Sequence, residues 1–371
     1  MKKCEKITGL RFVDTSSKAD KKSNNKSKPD LSVYTTSEGK NNITVLSWPD
    51  LEMFIEWKDD AHLDAFRSSF LNALQPMDSN SVKGTETRGQ IYSYAAQVLD
   101  SQQRRSLFSV GICGDWVRFY YFDASCVVVT EPISFRDHPE VVVEFFVRYG
   151  SMTAAERGYD TTVVPATPAE KRTFRSRISD YKKRVIDEEL RLHPDVEDLN
   201  LKNTVKIQVN NEEDGTTRSY LACRPKSFPV NYSPCGRLSR GYIAVPLEPV
   251  VRGRIRNPDR GKLFWLKDCW RSDAVESEAS MYRYLKEKDV ENIPAIKCMG
   301  DVFDGTTRQE TLNDSLCRDK KADEWRRPVH LIPHMIHYRI VSELLIPIGE
   351  VQDARELLLV GRDILNGGCY D

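Results

Sequence analysis

The chain has 371 residues, of which 55 are Lys or Arg and 55 are Asp or Glu, so its formal net charge is zero. This balance excludes a histone-like protein that coats a polyanion, although it leaves room for a local basic site. With 40% hydrophobic and 9% aromatic residues, the sequence is too apolar for a wholly disordered protein. At about 150 residues per domain, the length predicts two domains and leaves residues for the start of a third.

Cysteine usage and apolar runs bear on the compartment. Nine cysteines are scattered along the chain and no Cys-x-x-Cys pair occurs, which is typical of reduced thiols and argues against a zinc ribbon. The sequence shows neither a run of about 20 apolar residues nor a secretory signal at its start. We therefore expect a protein of the cytoplasm or nucleus that has no membrane partner.

The first half of the chain alternates between predicted strands and helices. Residues 1–29 hold nine basic and three acidic residues, so we expect them to form a flexible basic segment. After it, the hydrophobic periodicity predicts these elements in order: strands at 30–34 and 51–57, helices at 61–74 and 87–101, β-rich sequence at 107–135, and a helix at 139–149.

The second half begins with a long charged helical pattern over residues 166–200, which we interpret as a linker helix. An Asp-Gly turn between two alternating runs predicts a hairpin over 204–223. The elements predicted beyond it are strands at 242–246 and 262–267, a helix at 274–288 and a strand at 338–345. The sequence thus predicts α+β organisation in both halves.

Two acidic residues and a lysine in the first half point to a metal site. In the strand LEMFIEWK, the two-residue period places Glu56 and Lys58 together on the face opposite the apolar side chains. Asp30 opens the preceding strand, where it could add a second carboxylate beside Glu56. Two carboxylates suit Mg²⁺, and Lys58 could orient a water molecule or stabilise charge on a phosphate. This is the chemistry of a phosphodiesterase.

The next helix carries Gln90 and Tyr94 four residues apart on one face. Together with the two carboxylates and the lysine, in the order strand, strand, helix, they resemble the PD-(D/E)xK nuclease superfamily, particularly its RecB-like branch. The resemblance implies a restriction-endonuclease-like α/β domain in which Asp30 and Glu56 hold the metal. It also implies that Lys58 acts at the nucleophile and that Gln90 and Tyr94 lie near the nucleic acid.

The motif also has a simpler interpretation, because acid-x-Lys is frequent where 30% of the residues are charged. Asp20, Asp180 and Asp319 also begin such triplets. Glu56 differs from them because it lies within an apolar strand. A metal-dependent nuclease site and an ordinary charged strand both stay open from the residues alone.

A second group of candidate residues lies in the second half. In KLFWLKDCWR, Trp265 and Lys267 alternate onto one strand face, so that the lysine ends an apolar row. The following helix places Glu278 beside its apolar stripe, where the carboxylate could pair with the lysine. Upstream, Gly236 and Gly241 stand between predicted strands, and glycines there let backbone amides approach a phosphate.

Glycine turn, strand lysine and helix glutamate occur in this order in the small lobe of protein kinases. The segments GRLSRGY, FWLKDCWR, ESEASMYRYL, NIPAI and YRIVSELLIPIGEVQDARELLLVGRDIL are similar to the fungal-type protein kinase family, which is Ser/Thr-type and kinase-like. The run SLFSVGICGDWVRFYYFDASCVVVTEPISF and its sequel ERGYDTTV resemble the same family. The resemblance extends from about residue 28 to about residue 366.

The family resemblance implies a kinase-like small lobe, a β-sheet with one main helix, that binds ATP and Mg²⁺. Lys267 would hold the α and β phosphates, and Glu278 would pair with it. Gly236 and Gly241 would bound the phosphate loop, although their G-x-x-x-x-G spacing departs from the kinase G-x-G-x-x-G. The hinge would lie near residues 341–344.

Kinase chemistry also needs an Asp that accepts the hydroxyl proton, and an Asn and a second Asp that hold Mg²⁺. After Lys267 the sequence contains no His-Arg-Asp, no Asp-Phe-Gly and no catalytic-loop Asn at the proper spacing. We therefore expect the large lobe to be missing. The expected organisation is a flexible segment at 1–29, a nuclease-like domain at 30–165, a linker helix at 166–200, a small lobe at 201–350 and the truncated start of a large lobe at 351–371.

These features support three hypotheses of function. The leading one is a pseudokinase or truncated protein kinase of the fungal type, which binds a nucleotide but lacks a catalytic loop. The second is a metal-dependent nuclease that acts on DNA or RNA through Asp30, Glu56 and Lys58. The third is a non-enzymatic interaction protein that binds a protein partner.

Overall fold

The computed structural model describes residues 8–17, 28–36, 46–67, 78–197, 199–225, 233–247, 259, 261–318, 332–351 and 353–368. The chain divides into two compact units. The first unit comprises Met1–Thr161, Val230–Leu238 and Thr311–His334, and the second unit comprises Thr162–Pro229, Ser239–Glu310 and Met335–Asp371. Both units mix helices and sheet, so the α+β organisation predicted from the sequence is confirmed.

A mixed sheet forms the centre of the first unit. Its strands, in spatial order, are β1 (Leu10–Asp14), β2 (Leu31–Thr35), β3 (Met53–Lys58), β4 (Ser106–Cys113), β5 (Trp116–Asp123) and β6 (Val127–Val129), with β7 (Ile133–Ser134) also paired to β5. All of these neighbours are antiparallel except β3 and β4. Because a parallel pair needs a crossover, helix α1 (Val82–Ser101) joins β3 to β4.

Helices cover both faces of this sheet. On one face the apolar stripe of α1 packs on the sheet, and on the other face helix α2 (Pro139–Ser151) does so. The α1 cluster includes Phe54, Ile91, Tyr94, Ala95, Val98, Leu107 and Tyr120. The α2 cluster includes Met53, Ile55, Val110, Val117, Phe146 and Tyr149. The alternation of β3 therefore sends Phe54 and Glu56 toward the α1 face.

The prediction of a helix at 61–74 is wrong for its first residues. The structure has only a short 3-10 turn at Ala61–Leu63. The carboxylates of Asp60 and Asp64 accept hydrogen bonds from the backbone N–H groups of His62 (2.8 Å) and Phe66 (3.0 Å). Such local bonds offer the backbone an alternative to helical pairing. Residues 68–74 of the prediction lie outside the described residues.

A buried arginine joins several segments of the first unit. Arg104 is almost completely buried, and its guanidinium donates to Tyr159 Oη at 2.5 Å and to Glu52 Oε2 at 3.4 Å. Glu52 also accepts hydrogen bonds from the hydroxyls of Tyr149 at 2.9 Å and Tyr159 at 3.2 Å. The cluster therefore ties the beginning of β3 to the end of α2 and to the segment that follows α2.

We expect Arg104→Met to destabilise the first unit, because it removes the nearer of the two guanidinium groups beside the buried Glu52 carboxylate; the other, that of Arg157, lies 3.9 Å away. The loss in unfolding free energy should be about 3–5 kcal/mol, measured by urea denaturation. The matched control is Arg148→Met, which removes an exposed ion pair to Glu144 on α2 and should leave the denaturation midpoint unchanged. Equal midpoints for the two variants would contradict the structural role given to Arg104.

A seven-stranded antiparallel sheet forms the second unit. Its strands are β8 (Val163–Pro165), β9 (Val205–Asn210), β10 (Thr217–Cys223), β11 (Arg240–Pro246), β12 (Phe264–Ser272), β13 (Ile296–Asp301) and β16 (Met335–Glu343), and β14 (Phe303–Asp304) and β15 (Thr307–Arg308) form a separate small hairpin. The spatial order is β13, β16, β12, β11, β10, β9, β8. The hairpin predicted over 204–223 is confirmed, with Gly215 in its turn at a φ of 68°.

Helices pack on the face of this sheet that carries Lys267, which we call the lysine face. Helix α3 (Pro168–Asp187) covers one part of it, and helix α4 (Glu278–Glu287) covers another. The α3 cluster includes Phe174, Ile178, Leu221, Cys223, Ile243, Val245 and Leu263. The α4 cluster comprises Cys269, Ala279, Met299, Tyr338 and Ile340. The charged helix expected as a linker is thus α3, and it lies in the second unit.

The opposite face of the same sheet encloses a buried charge cluster. Asp268 there contacts the His337 ring and lies 3.4 Å from the guanidinium of Arg339. Burial alone would raise the pKa of Asp268, but the facing His337 and Arg339 hold it far below its usual range. Arg339 also donates to the carbonyl of Gln208 at 2.6 Å. These charges are satisfied internally.

Helix α5 (Ala354–Gly368) ends the described part of the second unit. Within the described residues, no helix combines the length and the apolar character needed to cross a lipid bilayer.

Candidate functional site

The first candidate site is built around the end of β3. Alternation along β3 directs Glu56 and Lys58 to the same face, and Lys58 Nζ donates to Glu56 Oε1 at 2.6 Å. Glu56 is 3% exposed, whereas the Lys58 side chain is 22% exposed. The residue paired with Glu56 on β4 is Gly111, where a Cβ atom would lie 2.3 Å from the Tyr120 hydroxyl. Because Gly111 has no side chain, nothing from that position crowds the Glu56 carboxylate.

Asp30 and Tyr94 belong to the same site. The backbone N–H of Trp57 donates to Asp30 Oδ2 at 2.8 Å, which fixes this carboxylate beside the end of β3. Tyr94 projects from α1, and its hydroxyl donates to the carbonyl of Lys28 at 2.8 Å. Burial raises the pKa of Tyr94, and the charges of Glu56 and Asp30 raise it further. The two carboxylates and the phenol are therefore close enough to interact.

The pKa of Glu56 lies above the ordinary value of a glutamate. Burial is the main effect that raises its pKa, from 4.5 to about 7; Asp30 adds to the rise, and the hydrogen bond from Lys58 opposes it. Oε2 of Glu56 is buried and has no hydrogen-bond partner among the described residues. A buried oxygen without a donor is costly unless a ligand satisfies it. A divalent cation between Glu56 and Asp30 would do so, because hard oxygens suit Mg²⁺.

Among the described residues, the structure brings together four of the five residues predicted for this site. Asp30, Glu56, Lys58 and Tyr94 interact as described above. Gln90 is exposed and lies about one turn of α1 before Tyr94. It is therefore on the same side of the helix as Tyr94 but outside the network around Glu56.

The raised pKa of Glu56 makes stability depend on pH. The folded protein holds the Glu56 proton up to about pH 7, whereas the unfolded chain releases it near pH 4.5. The free energy of unfolding should therefore fall by up to about 3 kcal/mol as the pH rises through this window. The stability of Glu56→Gln relative to wild type should therefore increase between pH 4.5 and 7.5 in urea denaturation. The exposed Glu86→Gln is the control, and a pH-independent difference for Glu56→Gln would contradict the assignment.

The second candidate site is an ion pair on the lysine face. Lys267 Nζ lies 2.5 Å from Glu278 Oε1, and the two side chains are 30% and 36% exposed. Lys267 is held in β12 between Gly241 of β11 and Ile340 of β16. Glu278 is the first residue of α4. The pair thus links the middle of the sheet to the start of the helix and stays open to solvent.

Local contacts explain why α4 presents Glu278 to the lysine. Ser277 caps the helix by accepting a hydrogen bond from the backbone N–H of Ser280. The backbone N–H of Ala279 donates to the Tyr338 hydroxyl at 3.2 Å, and Ala279 is fully buried against the sheet. The helix begins at Glu278 rather than at the predicted residue 274. These contacts position the carboxylate independently of the ion pair.

The two glycines of the expected phosphate loop lie in different units. Gly236 belongs to the first unit, has a φ of 108°, and donates its N–H to the carbonyl of Ala124 at 2.8 Å. Gly241 lies within β11 of the second unit. A Cβ atom at Gly241 would lie 2.0 Å from the ring of Trp265, so any side chain there would collide with the indole. Packing therefore accounts for this glycine.

The sequence predicts only some of the residues that share the lysine face with Lys267. The sequence predicts that Trp265 shares the strand face of Lys267, but its contact with Gly241 joins different strands and leaves no local pattern. Phe174 and Ile178 of α3 are buried on the same face. Their spacing of four residues was a signal for an apolar helix stripe, which a solvated linker helix would not need.

The comparisons with known proteins concern the first part of the chain. Residues 52–200 match the model of a family described as fungal protein kinase. This region runs from the beginning of β3 through α3, so it includes Glu56 and Lys58 but ends before Lys267 and Glu278. No curated protein and no solved structure matches the chain. Less than half of the chain is thus similar to a kinase-like family.

Proposed function

We propose that the chain is a fungal-type kinase-like protein whose second unit binds the phosphates of a nucleotide such as ATP. The observation that carries this proposal is the ion pair between Lys267 and Glu278. In protein kinases, a strand lysine held by a helix glutamate contacts the α and β phosphates. The family match over residues 52–200 supports the same assignment from a different part of the chain.

The chemistry of the pair suits a phosphate ligand. Glu278 orients the ammonium of Lys267, and the partial exposure of both side chains leaves part of that ammonium open to an anion. A phosphate oxygen would gain a charge-assisted hydrogen bond there. Mg²⁺ would arrive with the nucleotide, since it commonly stays coordinated by substrate phosphates.

For the polypeptide of 371 residues, we propose binding of the nucleotide without phosphoryl transfer. Transfer needs a catalytic Asp that accepts the hydroxyl proton, together with the Asn and Asp that hold Mg²⁺. The sequence has no His-Arg-Asp and no Asp-Phe-Gly to supply them. Robust, Lys267-dependent phosphorylation of a peptide by the purified chain would refute this part of the proposal.

Lys267→Met should weaken the binding of a fluorescent ATP analogue by about tenfold or more, because a charge-assisted hydrogen bond to phosphate is lost. Fluorescence anisotropy on the full chain measures the affinity. Lys262→Met is the matched control, since Lys262 is exposed just before the same strand, and it should bind as wild type does. Equal affinities for Lys267→Met and wild type would refute the assignment.

A second function is favoured by the unpartnered Oε2 of Glu56. We propose that the first unit binds Mg²⁺ through Asp30 and Glu56 and cleaves a phosphodiester of DNA or RNA. When bound, Mg²⁺ would polarise a phosphate oxygen. The Lys58 ammonium would orient the attacking water or stabilise charge on the phosphate, and Tyr94 and Gln90 would lie near the nucleic acid. The support is the shared environment of Asp30, Glu56 and Lys58.

Glu56→Gln should abolish binding of Mn²⁺ or Mg²⁺ in isothermal titration calorimetry at pH 8, because the site loses a charged ligand. The proposal also expects Lys58→Met to keep the metal but to cut DNA or RNA at least about 100-fold more slowly than wild type. Glu86→Gln on the exposed face of α1 is the matched control for both measurements. Cleavage unaffected by Glu56→Gln and Lys58→Met would eliminate the nuclease hypothesis.

The third hypothesis is a non-enzymatic interaction protein. It would be favoured if the chain bound neither nucleotide nor divalent metal but formed a stable complex with a protein in a pulldown.

A further inference from the structure

We infer that the second unit occludes its own nucleotide site, because α3 and the indole of Trp265 cover the part of the lysine face on which the base of a bound nucleotide would lie. This inference rests on the proposed binding of a nucleotide by Lys267. It adds a regulatory property to that site, namely that α3 or Trp265 must move before the whole nucleotide can bind.

The first step concerns the directions open to a ligand held by Lys267. Because β12 alternates without interruption, Trp265, Lys267 and Cys269 share one face. The neighbourhood of Cys269 is covered by α4, whose Ala279 is fully buried against it. A base and ribose linked to a phosphate at Lys267 must therefore extend toward Trp265 and the adjacent strand β11.

That direction is filled by the indole of Trp265. Gly241 is paired with Lys267 across the two strands, and it has no side chain of its own. The Trp265 ring occupies the space where that side chain would start, 2.0 Å from the ideal Cβ position. Neighbouring strands are about 4.8 Å apart. The indole therefore lies within one strand spacing of the lysine, where a ribose or base would have to pack.

The next layer in the same direction is α3. Phe174 is fully buried and Ile178 is 6% exposed, and both pack with Ile243 and Val245 of β11. Leu344, which lies where the family resemblance implies the hinge, is a partly buried member of the same cluster. A base placed beyond Trp265 would have to replace the apolar side chains of α3.

Two ion pairs lie near the ends of α3. At the start of α3, Glu170 forms a capping box with Thr167 and accepts from Lys206 Nζ at 2.9 Å. Beyond its end, Arg191 lies 3.4 Å from Glu356, and both side chains are substantially exposed. Exposed ion pairs contribute little to stability. Helix α3 therefore combines an apolar centre with a partly buried ion pair at its start and a partly exposed ion pair beyond its end, and removing both pairs should favour its displacement.

Two kinds of variant open the cover in different ways. Trp265→Ala removes the indole beside Gly241, and the double variant Lys206→Ala, Arg191→Ala loosens the polar attachments of α3 without touching its apolar centre. Each should bind a fluorescent ATP analogue at least about threefold more tightly than wild type, because a larger fraction of the protein is open. Adding Lys267→Met should abolish the gain. Trp116→Ala, at an exposed tryptophan of the first unit, should leave the affinity unchanged.

Thiol labelling follows the opening of α3 without any nucleotide. Cys223 is buried in the α3 cluster, and Cys269 is buried in the α4 cluster. Burial raises the pKa of Cys223 to about 11, so its thiol reacts slowly. In the Lys206→Ala, Arg191→Ala variant, mass spectrometry should show faster labelling of Cys223 by iodoacetamide and unchanged labelling of Cys269.

The combined results separate this inference from the proposed function. Faster labelling of Cys223 together with tighter, Lys267-dependent binding supports both. Wild-type protein that binds the analogue as tightly as the opened variants, with the same dependence on Lys267, overturns the occlusion and keeps nucleotide binding. Faster labelling of Cys223 with no binding by any variant overturns nucleotide binding itself, and the occlusion with it.

Discussion

The alternation of strand β12 is the constraint on which the second unit depends. It sends Lys267 to the face covered by the helices and Asp268 to the opposite face, so that two adjacent charged residues enter different environments. Asp268 is fully buried and contacts the His337 ring and the Arg339 guanidinium. Lys267 pairs with Glu278 and stays partly exposed. A structural charge cluster and an accessible charged pair therefore come from neighbouring positions of one strand.

The first unit concentrates its chemistry in the same way, at the end of β3. Glu52 begins this stretch as a structural residue, since Arg104 and two tyrosines satisfy its carboxylate. Glu56 ends it with one oxygen that no described residue satisfies. Burial raises the pKa of Glu56 to about 7, although the hydrogen bond from Lys58 opposes the rise. A carboxylate with such a pKa can take up a proton or a cation near neutral pH. The family match includes both residues.

Local periodicity was sufficient to predict much of both sites. The two-residue period aligned Glu56 with Lys58, and the apolar stripe of the following helix directed Glu278 toward Lys267, because these relations depend on neighbouring residues. The covering of the lysine face by α3 was not predictable, since a helical stripe shows that a helix packs but not against which surface. The short turn at Ala61–Leu63 was missed because aspartate side chains there compete for the backbone.

The central claim is that Lys267 contacts the phosphates of a nucleotide. An acyl-phosphate derivative of ATP tests it most directly, because a lysine amine beside the phosphates attacks the acyl carbonyl, forms an amide and releases the nucleotide. The account predicts that mass spectrometry of the full Trp265→Ala chain finds the acyl group on Lys267 and that excess ATP prevents the reaction. Labelling confined to exposed lysines such as Lys262, or labelling of Lys267 that ATP does not reduce, would contradict the account.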